Sequence, residues 1–222
     1  MIRSAVFVVL FALLAPFTAA QVPATLAFTE GVHYFPLEQP IRPRNPEKIE
    51  VVEVFWYGCS HCFHIDPLIK AWEKTIGPDV DFQRLPVIWN SVTELHARAF
   101  YAAHALNAFE RLHEPLFTAL NEQGNPLNSP ERIQKLFANY GITADQFNKA
   151  FNAFGVTSQV NQAKSRTLSY RIEGTPELIV AGKYRVSGRG FSGPGFSEHT
   201  THENMLKAAD FLIAKERRER TK

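Results

Sequence analysis

A run of branched and aromatic residues, Ile49 to Trp56, ends at Gly58 and passes at once into Cys59-Ser60-His61-Cys62, which holds the only two cysteines of the 222 residues. The run has the composition of a strand buried on both faces, and beyond it Ile65, Leu68, Ile69, Trp72 and Ile76 recur at helical spacing. A strand that gives way to a helix at Gly58 puts Cys59 at the helix N-terminus. Unpaired N–H groups and the helix dipole favour an anion there, so a thiolate is stabilised and its pKa falls. His61, when charged, adds a cation in the same turn. The junction reads as a redox dithiol.

Two other uses of the cysteines stay open at this level. A structural zinc site needs four ligands, and Cys59, His61, Cys62 and His64 all fall within six positions, with no second cysteine pair elsewhere. No metal and no cofactor are expected. The plainer alternative is a pair of inert core cysteines. Glu53 stands in the middle of the strand, where a carboxylate is costly unless it is paired, protonated or turned to a solvent edge.

The N-terminus bears on the redox setting. Arg3, the apolar Ala5 to Leu14 and the small residues up to Ala20 have the three parts of a secretory signal, with cleavage expected near Ala20. The apolar stretch is short for a membrane span, and no later run is long enough for one. A soluble protein exported to a compartment where dithiols can be oxidised is expected. A disulfide closing so small a loop would contribute little to stability. With a formal net charge of only +2, nothing calls for nucleic acid or acidic lipid.

Around the dithiol the elements follow in order. His33 to Leu37 reads as an edge strand before a proline-rich loop, and Val80 to Val87 as a strand completing a strand-helix-strand unit around the cysteine helix. Pro67 is expected to kink that helix. From Asn90 to Gly155 the pattern is helical, with a capping box at Ser91 to Glu94, Ser129-Pro130-Glu131 opening a helix that Gly141 ends, and Thr143 to Gln146 opening another that Gly155 closes. A helix over Ser158 to Tyr170 leads to Gly174-Thr175-Pro176-Glu177, a hairpin turning at Ala181-Gly182-Lys183, and a glycine-rich loop. Met205 to Lys215 reads as the last helix, and Lys215 to Lys222 as a solvated tail. The predicted class is α/β with an all-helical insertion.

Three features in this order, Glu53 to Cys62, the helical insert, and Gly174 to Tyr184, resemble the thioredoxin superfamily and within it the DsbA family of bacterial periplasmic disulfide oxidases. The resemblance spans nearly all of the chain beyond residue 20. It implies a thioredoxin-like fold over 21–90 and 157–222, split by a helical insertion at 91–156, after a signal peptide at 1–20. It makes Cys59 the exposed nucleophile, Cys62 its buried partner, Glu53 the buried acid beneath them, and Pro176 a cis-proline facing the disulfide with Thr175 before it. Ser60 departs from the proline usual between the first cysteine and the histidine. Thr175 departs from the valine of several oxidases, and threonine there is also found in isomerase-type relatives.

The implied activity is thiol:disulfide exchange that oxidises reduced secreted proteins in the periplasm, by a monomer reoxidised by a quinone-linked membrane oxidase of the DsbB kind. No nucleic acid and no stable membrane insertion are implied. A periplasmic dithiol reductase or isomerase, and a non-catalytic peptide-binding module on the same scaffold, are the alternatives.

Overall fold

A computed structural model describes residues 28–221; the expected signal segment lies outside the described residues. Its centre is β2 (Ile49–Phe55), a seven-residue strand buried at every position. Ile49 and Val51 pack into one hydrophobic cluster, while Val52 and Val54 pack into another. One strand therefore feeds two cores, each fully buried Val or Ile contributing about 1.5–3 kcal/mol. Five strands lie in the order β1-β5-β4-β2-β3, with β1 at Phe35–Pro36, β3 at Val80–Pro86, β4 at Glu177–Val180 and β5 at Tyr184–Ser187. β2 runs parallel to β3 and antiparallel to β4, and β5 is antiparallel to both β4 and β1. The proline-bearing β1 sits at the sheet edge, where a missing N–H costs no ladder bond.

α1 (Ser60–Glu73) joins β2 to β3, and α7 (Glu198–Arg220) packs with it over Ile49, Val51, Leu178 and Val180. The opposite core is closed by helices that come between β3 and β4: α2 (Ser91–Ala105), α3 (Phe109–Asn121), α4 (Pro130–Asn139), α5 (Ala144–Phe151) and α6 (Phe154–Ser169). This is the α/β arrangement with inserted helices that the sequence predicts. No helix among the described residues is long and apolar enough to cross a membrane.

The caps at Ser129 and Thr143 form as the sequence signals. At α2 the cap is Asn90, one residue earlier than expected, because its Oδ1 accepts from the N–H groups of both Val92 and Thr93 and the Thr93 hydroxyl oxygen accepts in turn from the Asn90 N–H. Gly155 does not close α5. Asn152 ends that helix, and Gly155 falls in the first turn of α6. At the hairpin, Gly182 has φ +62° and a Cβ there would meet the Ile41 carbonyl oxygen at 1.9 Å, so only glycine fits.

The largest departure is at the C-terminus. α7 starts at Glu198 behind a Ser197 capping box and runs to Arg220, so the expected solvated tail is its last turns. Glu216 is buried and accepts from Lys183 Nζ at 2.7 and 3.0 Å, and Arg217 makes two bonds of 2.7 Å to Asp79. Glu216 is thus taken out of water, while residues 217–221 stay exposed, with Arg217 and Arg220 making their bonds across the fold at the surface.

Candidate active site

The end of β2 is braced from the inserted helices. Trp56 Nε1 donates to His96 Nδ1 of α2 at 2.9 Å, and Asn121 Nδ2 of α3 donates to the Tyr57 carbonyl at 2.8 Å. The next residue must be glycine, since a Cβ on Gly58 would lie 2.4 Å from the Trp56 ring. The Cys59 N–H closes the turn onto the Trp56 carbonyl at 3.0 Å.

Cys59 is then the N-cap of α1, in extended geometry and with no acidic residue in the first helical turn to compete for the helix N–H groups. Its thiol is held down to about 5: the Cys62 thiol, the Thr175 hydroxyl and the main-chain N–H groups of Cys62 and His61 all favour the thiolate, outweighing partial burial. The dipole end that normally takes a carboxylate is left to sulfur. Cys62, one turn on, has no exposed surface, and burial together with the neighbouring Cys59 pushes its thiol well up. Both cysteines are free thiols here. Two thiols in one turn are thus split into an accessible thiolate and a buried thiol.

Thr175-Pro176 is a cis peptide, and Cys59 Sγ lies 3.3 Å from the Thr175 carbonyl oxygen. A cavity of about 380 Å³ beside this loop is lined by His61, Thr175, Pro176, Glu177 and Met205 among others. Cys59, Cys62, Thr175 and Pro176 are therefore brought together. The His61 ring turns away: it is exposed, and its Nδ1 lies 2.6 Å from Glu198 Oε1 of α7. What His61 gives the thiolate is its main-chain N–H.

Glu53 is almost fully buried rather than at a solvent edge, and burial raises its carboxyl to about 7 against the lowering effect of Arg84. Arg84 Nε of β3 stands 3.1 Å from Glu53 Oε2, yet neither atom attains hydrogen-bonding geometry, which is why burial prevails. Arg84 also reaches Glu73 at 3.2 Å and Asp66 at 3.9 Å. Asp66 takes Lys70 at 2.7 Å and His113 Nε2 at 3.1 Å, and the other His113 nitrogen meets the Tyr57 hydroxyl at 2.8 Å. Burial lowers the His113 pKa, while Asp66, despite its own burial, is held low by His113 and Lys70. This assigns a neutral His113 that donates from Nε2 to Asp66 and accepts at Nδ1 from Tyr57.

The sequence marks Glu53 but none of its partners. Asp66 beside Ile65 and Ile69, and His113 between Leu112 and Leu116, are polar residues set in apolar helix faces. That was the available signal; the pairing across 47 positions was not.

Residues 68–191 match the family described as "DSBA-like thioredoxin domain", a match that begins just past the cysteines and includes Pro176. A thiol:disulfide interchange protein DsbA of Azotobacter vinelandii is 37% identical over 187 residues, 84% of each chain. One from Pseudomonas aeruginosa is 34% identical over 190 residues, 86% of each. The crystal structure of Pseudomonas aeruginosa DsbA superposes with a TM-score of 0.80 at 33% identity, covering 88% of this chain and 97% of that one.

Proposed function

The chain belongs to the DsbA family and is a thiol:disulfide oxidoreductase, and from that premise we propose that it works as an oxidase, passing a Cys59–Cys62 disulfide to reduced secreted proteins in the periplasm. The observation that carries the direction is the splitting of the two thiols, Cys59 held to about 5 while Cys62 is pushed up. A substrate thiolate attacks Cys59 Sγ, the Cys59–Cys62 bond breaks, and Cys62 leaves as a thiolate that takes up a proton. A second substrate thiolate then attacks the substrate sulfur of the mixed disulfide and expels Cys59. The substrate has lost two electrons and the enzyme has gained them. The better the leaving thiolate, the faster the last step and the more stable the reduced enzyme.

In this reading Cys59 is the nucleophile that carries the substrate, Cys62 the buried partner, and Thr175 and Pro176 the wall against which an extended peptide rests. His61 contributes through its main chain, and Glu53 is the buried acid that holds a proton near neutral pH. Residues 91–156 act as the helical insertion between two parts of a thioredoxin-like domain, 21–90 and 157–222. Export by a signal cleaved near Ala20, a monomeric state, and reoxidation by a DsbB-like quinone-linked membrane oxidase complete the proposal.

Equilibration of the dithiol with glutathione tests the direction. An oxidase poises at or above about −180 mV, the value of protein disulfide isomerase. A poise near about −270 mV, where thioredoxin lies, would overturn the oxidase reading in favour of a reductase.

A further inference from the structure

Beside the dithiol, two helices set the imidazoles of His61, His64 and His202 around the Glu198 carboxylate, and those of His61 and His202 converge with it. His61 and His64 stand three apart on α1, and Glu198 and His202 four apart on α7, so each helix sets both residues on one face. Glu198 Oε1 is the hub, 2.6 Å from His61 Nδ1, 2.9 Å from His64 Nδ1 and 4.0 Å from His202 Nε2. One donor atom from each of His61, Glu198 and His202 lies within 4.8 Å of the other two.

We propose that His61, Glu198 and His202 form a binding site for Zn²⁺, with the fourth position left to water and neither cysteine taking part. Tetrahedral zinc with bonds of about 2.0–2.2 Å sets its donors about 3.4 Å apart, and the contacts around Glu198 Oε1 bracket that spacing. Imidazole with a single carboxylate suits a borderline ion of the zinc class, whereas calcium and magnesium call for oxygen donors throughout. An ion pair explains His61 and His64 against Glu198. It does not explain His202, which is buried and faces the same oxygen from beyond hydrogen-bonding distance.

The frame is already stiff. Trp72 Nε1 of α1 donates to Asp210 of α7 at 2.8 Å, and the Ser197 capping box fixes the start of α7. The exposed rings of His61 and His64 can swing to open their short contacts, while the buried ring of His202 is the anchor. A bound ion would clamp the first turn of α1 to α7 and occupy the wall of the cavity that also holds Thr175 and Pro176.

The test uses the full-length Cys59→Ser, Cys62→Ser double variant, so that it is independent of the redox reading. Titration calorimetry and metal analysis after dialysis against Zn²⁺ should give one ion per chain. Glu198→Gln and His61→Ala, both at exposed positions and checked for folding by circular dichroism, should each weaken binding roughly tenfold or more. His199→Ala, whose ring pairs with Glu203 instead, should leave it unchanged. Absence of zinc binding in the double variant, whether or not the dithiol protein binds it, overturns the site, and so does undiminished affinity in Glu198→Gln and His61→Ala.

Discussion

Cys59 Sγ lies 3.3 Å from the carbonyl oxygen of Thr175, so two residues 116 positions apart meet at the reacting atom. The Thr175 hydroxyl is among the groups that hold the Cys59 thiol near 5, whereas the His61 ring is engaged by Glu198. Thr175→Val should therefore raise the thiolate midpoint, and His61→Ala, which keeps its main-chain N–H, should leave it near its present value. Ultraviolet thiolate absorbance against pH reads both. A larger displacement in His61→Ala than in Thr175→Val would contradict this division of roles.

The accessible Cys59 and fully buried Cys62 predict an asymmetric trapping experiment. Cys62→Ser should accumulate mixed disulfides with client proteins, because the nucleophile remains and the internal resolving thiol is gone. Cys59→Ser leaves only a buried thiol with a raised pKa and should trap almost nothing. Comparable bands from both variants on non-reducing gels would reverse or abolish the assignment.

Glu53 offers a pH signature. Its folded pKa of about 7 is above the ordinary carboxylate value of 4.5, so its contribution to stability is fully present below about pH 4.5 and lost as pH rises through 7. Glu53→Gln mimics the protonated form at every pH. The variant should gain on the wild type between about pH 4.5 and pH 8, by on the order of 3 kcal/mol in urea unfolding. A difference that stays constant with pH would mean that Glu53 is ionised throughout, paired to Arg84.

Much of this arrangement is legible in the sequence where the signal is local. The strand from Ile49, the turn at Gly58, the helix behind Cys59 and the Thr175-Pro176 loop each carry their own punctuation. Pairing across the fold has no such mark. Arg84 finds Glu53 through strand register, β2 beside β3, and Glu198 finds His61 through helix packing over 137 positions. Glu216 misleads for the same reason: it reads as part of a solvated face until Lys183 is known to lie opposite, whereas residues 217–221 do stay exposed.

Those C-terminal pairs can be weighed. Ending the chain after Lys215 removes Glu216, Arg217 and Arg220, together with their bonds to Lys183, Asp79 and the carbonyls of Pro46 and Lys48. Loss of the buried Glu216 contact alone should cost roughly 1–2 kcal/mol of unfolding free energy. A solvated tail would change stability by less than about 0.5 kcal/mol, and chemical denaturation separates the two.

The dithiol itself predicts how the stabilities of the two redox forms diverge with pH. A disulfide between Cys59 and Cys62 closes a loop of about four residues, which the chain-entropy account credits with about 2 kcal/mol. The reduced form has the Cys59 thiolate in its place. A folded pKa of about 5, below an unfolded value of about 8.5, gives stability fully present above the unfolded pKa and lost as pH falls through 5. Within that window each pH unit adds up to about 1.4 kcal/mol to the reduced form, less some screening by water because Cys59 is partly exposed. That gain overtakes the cross-link between about pH 6 and 7, and the reduced protein is then the more stable up to about pH 8.5. Above that, the unfolded chain ionises Cys59 too and the gain levels off, while Cys62, ionised in the unfolded chain but kept as a thiol by the fold, turns the advantage down. Glu53 titrates in both forms and cancels to first order. Paired thermal and urea unfolding of the oxidised and reduced proteins from about pH 4 to pH 8.5 follows the crossing directly, the limits spanning the folded and unfolded thiol values. An oxidised form that remains the more stable across the whole range would mean that the thiolate is not stabilised by the fold, and would remove the basis for an oxidase.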